Sequence, residues 1–283
     1  MFKIIKKVVL GPSLTLFEVS APEIAARVQP GQFIILRIND QGERIPLTVA
    51  DFDRSRGLLT LIFQEVGRST KDLGKLAAGD GILDLVGPLG KPSEIDKLGR
   101  VVCIGGGVGV APVYPITRAL KQIGNEVISI IGARSKDYLI LSEEMRAVSD
   151  SLQITTDDGS AGQKGFVTDI LQQVIKADNA IELVMAIGPL SMMKAVAEVT
   201  RPYHIKTMVS MNPIMVDGTG MCGACRVAVG DKMKFACVDG PEFDGHLVDW
   251  TIASLRARMF LKEEKIAMET YSCGGDGNCQ NQR

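Results

Sequence analysis

Up to about residue 97 the apolar positions come in short runs or alternate with polar ones. The runs are KIIKKVVL (3–10), LTLFEVS (14–20), QFIILRI (32–38), LLTLIFQEV (58–66) and ILDLVG (82–87), separated by GPS, QPGQ, NDQGE and AAGDG. A period of two sends successive side chains to opposite faces, and Gly, Pro, Asn and Asp between runs mark turns, so this stretch predicts strands. The expected unit is an antiparallel β-barrel of about six strands over residues 1–98. From Gly99 the texture changes to strand followed by helix: RVVCIGGG before APVYPITRALKQI, EVISIIGA before SEEMRAVSD, IELVMAIGP before SMMKAVAEVT. That alternation predicts an α/β domain with a parallel sheet over 99–207. After about residue 206 the chain turns rich in Met, Gly and Cys, which predicts a small loop-dominated module over 208–260 and a C-terminal tail over 261–283.

A length of 283 residues suits two domains with room for a small third. The 32 basic and 33 acidic side chains leave a formal charge of −1, so no broad basic field exists to attract nucleic acid or an anionic membrane. The longest uncharged run, 101–117, is short for a membrane span and is broken by glycines and prolines. The N-terminal MFKIIKKVVLGPS lacks the apolar core and cleavage site of a signal peptide, so the expected location is cytoplasmic.

Three segments could carry chemistry. CIGGGVGVAPV (103–113) is a glycine loop between an apolar strand and a helical pattern. Such a loop lets the backbone approach a pyrophosphate, with the helix N-terminus supplying N–H groups. Gly105, Gly107 and Gly109 recur at every second residue, and Pro112 suits a first helical turn. Taken alone, the loop is modest evidence, and a strand-to-helix turn with no ligand is the plain alternative. ERIPLTVAD (43–51) and FQEVGRST (63–70) place Arg44, a fork of phosphate donors, and Gly67, Ser69 and Thr70, a possible helix start facing an anion. A strand end and an N-cap are the plain alternatives. Finally, three of the six cysteines crowd into residues 222–237 of a chain without an export signal, which favours metal or redox chemistry over disulfides. In DGTGMCGACRV, Cys222 and Cys225 have the x2 spacing of a plant-type [2Fe–2S] loop, Cys237 follows, and Asp217 stands where the first thiolate would be. A carboxylate carries the same charge as a thiolate and can bind iron through oxygen. On spacing alone a tetrahedral zinc site stays open. Cys103 reads as a packing residue, Cys273 and Cys279 as part of a disordered tail, and His204 and His246 receive no role.

Together and in this order, the motifs resemble those of the ferredoxin reductase-like flavoproteins, over about residues 1–260 and more closely the subgroup with a C-terminal [2Fe–2S] module. RIPLT resembles the flavin segment, which implies Arg44 on the FAD phosphates and Pro46, Leu47 and Thr48 along the isoalloxazine. GRST is similar to the pyrophosphate loop, implicating Gly67, Ser69 and Thr70. GGGVGVAP resembles the nicotinamide nucleotide loop, implicating Gly105, Gly106, Gly107, Val108, Gly109 and Pro112. IGPLSMM is similar to a C-G-P-x-x-M segment, implicating Gly188, Pro189 and Met192, with Ile187 where many relatives have Cys.

MNPIMVDGTGMCGACRV and ACVDGPEFDGHLVDW resemble the small subunits of bifurcating NADH-dependent ferredoxin:NADP oxidoreductases, which carry Asp where dihydroorotate-type subunits usually carry Cys. The implied cluster ligands are Asp217, Cys222, Cys225 and Cys237. The resemblance further implies that electrons pass between NAD(H), FAD and the cluster to a larger glutamate-synthase-like flavoprotein with [4Fe–4S] clusters, and through that complex to ferredoxin. It implies NAD rather than NADP, although Arg134 after the second strand could accept a 2′-phosphate. No acid–base residue is required for hydride transfer between cofactors, so none is assigned as catalytic. Two alternatives remain: an electron-transfer subunit of a dihydroorotate or sulfide dehydrogenase, and a zinc-stabilised, non-enzymatic nucleotide-binding module.

Overall fold

The computed structural model describes residues 1–178 and 180–273. Its first part is an antiparallel sheet of β1 (Phe2–Gly11), β2 (Leu14–Ser20), β3 (Phe33–Arg37), β4 (Ile45–Asp53), β5 (Leu58–Gln64), β6 (Gly81–Ile82) and β7 (Asp84–Leu89), with short helices α1 (Pro22–Ala25) and α2 (Arg68–Lys75). The strand order is β6-β1-β2-β5-β4-β3-β7. β6 and β7 are one residue apart in the chain yet lie at opposite ends of that order, so the sheet curls into a nearly closed barrel. Alternate residues fill it: Phe17 and Val19 of β2, Ile34 and Leu36 of β3, Leu59 and Leu61 of β5. The Phe17 and Phe63 rings meet edge to face at 5.2 Å. Seven strands replace the expected six because the run at 82–87 divides between β6 and β7 at Leu83.

The second part alternates strand and helix through β8 (Arg100–Gly106), α3 (Val110–Gln122), β9 (Glu126–Ala133), α4 (Ser142–Ala147), β10 (Ser151–Thr156), β11 (Gln163–Lys164), α5 (Val167–Ala177), β12 (Ile181–Ile187), α6 (Leu190–Thr200) and β13 (Lys206–Ser210). The strands are parallel in the order β11-β10-β9-β8-β12-β13. Helices cover both faces, which is why β8 is buried from Val101 to Gly106 rather than alternating. Val101 and Cys103 pack with Val113, Ile116 and Leu120 of α3; Val102 and Ile104 pack with Ile170 and Leu171 of α5 and Val196 of α6. Cys103 is thus a core residue, as expected, and burial pushes its thiol up to about 11.

The third part holds a hairpin, β14 (Arg226–Val229) and β15 (Lys232–Phe235), then α7 (Ala236–Asp239), β16 (Glu242–Asp244) and α8 (Trp250–Arg256). β16 adds antiparallel to β13, so this segment completes the edge of the parallel sheet. Residues 261–273 of the expected tail form a helix, α9 (Leu261–Cys273), whose Tyr271 ring lies 4.3 Å from Lys75 Nζ on α2. Cys279 and the disorder expected around it lie outside the described residues. Among the described residues no helix is long and apolar enough to cross a membrane.

The parts share cores. Phe33 and Ile35 of the barrel wall belong to one buried cluster with Val102, Ile104, Val227, Cys225, Cys237 and Trp250. Arg118 of α3 donates to both carboxylate oxygens of Asp51 on β4, at 2.6 and 3.1 Å, tying barrel to parallel sheet.

Candidate functional site

β4 is the floor on which three motifs meet. In its pairing with β3, Pro46 stands opposite Ile35 and Thr48 opposite Phe33, on the face turned toward the shared core. Ile45 and Leu47 pack against the barrel interior instead. Of the three residues expected along a flavin ring, Pro46 and Thr48 therefore share a face, and Leu47 can present only backbone there. Arg44, just before the strand, is exposed and makes no hydrogen bond or ion pair among the described residues. The loop that carries it is fastened to α2 by Ser69 Oγ donating to Glu43 Oε2 at 2.7 Å. Gly67 is the N-cap of α2. Thr70 Oγ1 accepts from the N–H groups of Val66 and Gly67, at 3.1 and 3.0 Å, fixing the entry turn. A Cβ added at Gly67 would meet nothing within 4 Å, so open space lies above the turn.

The glycine loop runs from the C-terminal end of β8 into α3, with its 107–109 turn against β5 and α3 against β4. Its glycines serve different ends. A Cβ at Gly105 would stand 2.8 Å from Val110 Cα, one at Gly106 2.3 Å from Met192 Sδ, and one at Gly109 2.3 Å from the Ile187 carbonyl. These three are demanded by internal packing. Gly107 has φ +56° and nothing within 4 Å of a Cβ, so its smoothness faces open space. Val108 is half-buried and Pro112 sits in the first turn of α3. Met192 also packs on Gly188, 2.7 Å from where its Cβ would be, which draws the segment with Pro189 onto the loop. Arg134 is exposed after β9. Beside it lie Asp157 and Asp158, whose N–H groups donate to Ala133 and Arg134 carbonyls at 3.1 and 3.3 Å. Asp158 is engaged by Ser160, whereas the Asp157 carboxylate has no partner among the described residues. The sequence reading missed Asp157 because β10 went unread; its signal was an acid following SLQITT.

In the third motif, Asp217 is held inside its own loop. Oδ1 accepts from Thr219 N–H at 2.8 Å and Oδ2 from Cys222 N–H at 3.0 Å. The Thr219 N–H foremost, with that of Cys222, holds the carboxyl below the usual carboxylate range. Gly218, Gly220 and Gly223 all take positive φ, and Gly218 presses on the barrel: a Cβ there would stand 2.6 Å from Leu89 Cδ1 and 2.8 Å from Ile35 Cδ1. The loop thus lies beside Pro46, the partner of Ile35. Cys225 and Cys237 are buried with their sulfurs 3.2 Å apart, and Cys222 is exposed. Burial, then the neighbouring Cys225 thiol, pushes the Cys237 thiol up to about 12. The Cys237 thiol, buried this close to a second sulfur, resists becoming a thiolate unless a cation joins the pair, so this donor chemistry fits a metal centre. Asp217 and Cys222 are neighbours through the backbone but do not close with that pair into a single-ion ligand set among the described residues.

Two family models match parts of the chain. Residues 212–249 match the iron–sulfur cluster binding domain of dihydroorotate dehydrogenase B, and residues 103–198 the oxidoreductase NAD-binding domain. The chain is 47% identical to a dihydroorotate dehydrogenase B (NAD(+)) electron transfer subunit homolog of Thermotoga maritima, covering 95% of each sequence. It is 35% identical to a probable subunit of the same name from Methanopyrus kandleri, over 78% of this chain and 81% of the other. A chain in the structure of an NADH-dependent reduced ferredoxin-NADP oxidoreductase, described in connection with flavin-based electron bifurcation, superposes with a TM-score of 0.91 at 46% identity, covering 96% of this chain and 98% of that one.

Proposed function

The chain belongs to the family of dihydroorotate dehydrogenase B-type electron-transfer subunits, and on that premise we propose that it serves an electron-bifurcating ferredoxin:NADP oxidoreductase, exchanging electrons with a larger flavoprotein partner. FAD, a [2Fe–2S] cluster and NAD(H) are its cofactors. When bound, they supply the conversion between two-electron hydride chemistry and single-electron transfer.

The carrying observation is that all three motifs converge on β4: Pro46 and Thr48 lie on it, the Asp217–Cys225 loop rests on its neighbour Ile35, and the glycine loop leads into α3, which packs against it. In this reading Arg44 and the N–H groups opening α2 bind the flavin phosphates. Pro46 and Thr48 form an uncharged wall for the ring. Gly107 lets a dinucleotide phosphate approach the backbone, and Met192 with Gly188 and Pro189 closes the nicotinamide end. Asp217, Cys222, Cys225 and Cys237 hold the cluster. Asp157 supports NAD over NADP, since a free carboxylate beside Arg134 accepts from a ribose 2′-hydroxyl and repels a 2′-phosphate.

A second reading, the electron-transfer subunit of a dihydroorotate dehydrogenase, is favoured by the name of the Thermotoga relative. Co-purification with the native partner separates them. The bifurcating reading expects NADP reduction that requires NADH and reduced ferredoxin together; dihydroorotate oxidation coupled to NAD would sink it. The isolated chain is expected to carry about one FAD and two irons and to oxidise NADH with artificial acceptors. A colourless, zinc-bearing protein would overturn both readings.

A further inference from the structure

Arg256 closes α8 and makes a contact that none of the roles above explains. Its Nη2 donates to the Ala224 carbonyl at 2.7 Å, on the residue immediately before Cys225. Its Nε–H is buried and has no acceptor among the described residues, which is costly for a polar group held away from water. Arg226 lies against the same turn, since a Cβ at Gly223 would stand 3.0 Å from its Nη2. Neither guanidinium pairs with a carboxylate among the described residues, whereas Arg37, Arg100, Arg118 and Arg146 each do. The other buried, unpartnered Nε–H, that of Arg100, belongs to a guanidinium already held by Glu126 and Asp178. Two uncompensated cations therefore flank a turn whose proposed donors are three thiols and a carboxylate.

We infer that Arg256 is a positioning residue for the cluster: Nη2 fixes the Ala224 turn, while its charge and spare Nε–H compensate the anionic ligand set and hold the reduction potential up. The inference rests on the iron–sulfur reading of this site. An added electron makes the site more negative, so a half-buried cation stabilises the reduced form more than the oxidised one, and does so more strongly away from water. Cluster potentials respond to charge, to hydrogen bonds on the sulfurs and to exposure.

The test uses Arg256→Gln and Arg256→Lys in the full chain, measuring iron per chain, the midpoint potential by mediated titration, and flavin reduction by NADH. Arg256→Gln is expected to keep flavin reduction while the reduced-to-oxidised ratio at the parent midpoint falls at least tenfold, about 59 mV for one electron. Arg256→Lys should stay close to the parent. Loss of iron in Arg256→Gln with retention in Arg256→Lys supports the same charge role. An iron-loaded Arg256→Gln with the parent potential, equal shifts in both variants, or loss of iron from both would overturn the inference. A parent chain without iron would sink the iron–sulfur reading and this inference with it.

Discussion

A carboxylate differs from a thiolate in softness and not in charge, and the two oxygens of Asp217 already accept the N–H groups of Thr219 and Cys222. A side chain so placed can hold iron, hold the loop, or both, and substitutions separate the roles. Asp217→Cys keeps the charge and supplies the plant-type spacing, so a cluster should assemble with altered visible bands and a shifted potential. Asp217→Asn keeps an acceptor for Thr219 but loses the anion, so iron content should fall while NADH still reduces the flavin. If both variants retain the parent's iron, spectrum and potential, Asp217 is a turn residue. Gly107 offers a second test at this scale. Alanine at its φ of +56° costs about 1–2 kcal/mol and would place a methyl group in the space assigned to the nucleotide. Gly107→Ala should raise the KM for NADH about tenfold, or about 1.4 kcal/mol, with flavin content unchanged; an unaltered KM would remove this residue from the site.

Among elements, α2 is too short to be stable by itself, and its start is organised by side chains rather than by length. Thr70 gathers the Val66 and Gly67 N–H groups, and Ser69 ties the first turn to Glu43 beside Arg44. Thr70→Val removes the hydroxyl at constant shape and should cost about 1 kcal/mol. Since the same turn is assigned to the flavin phosphates, FAD should be released at a lower temperature than from the parent, read by flavin fluorescence on heating. Release at the parent temperature would place the phosphates elsewhere. α5 shows what sequence reading at this scale left out. Val167, Ile170, Leu171 and Ile175 recur at helical spacing and are buried.

At the scale of the whole molecule, Glu242 joins three parts. It lies on β16 opposite Ser210, its Oε1 accepts from Ser93 Oγ on the stretch between barrel and parallel sheet, and Gly31 of the barrel leaves room for both. Burial raises its carboxyl from 4.5 to about 7, helped by Glu94, whose charge is shared with Lys206. The folded chain therefore keeps a proton that the unfolded chain releases between about pH 4.5 and 7. Stability should fall as pH rises through that window, by about 3 kcal/mol, and level off above it. Glu242→Gln should flatten the slope, measured as urea midpoints at pH 5 and pH 8; an unchanged slope would assign the dependence to other groups.

The sequence by itself determined the succession of barrel, parallel sheet and cysteine-rich segment, because periods of two and of 3.6 residues, glycine turns and cysteine spacing are local properties. It also marked residues whose chemistry suits phosphates or iron. Only the tertiary structure decided which of them meet. Leu47 turns into the barrel while Pro46 and Thr48 turn out, because register and curl assign the faces of β4. Gly105, Gly106 and Gly109 answer to Val110, Met192 and Ile187, leaving Gly107 the open position. β16 and Glu242 join the edge of a sheet whose other strands lie before residue 211, and Arg256 reaches back 32 residues to Ala224. Such pairings depend on closing long loops around a shared core, and no pattern within a short window of the chain encodes them.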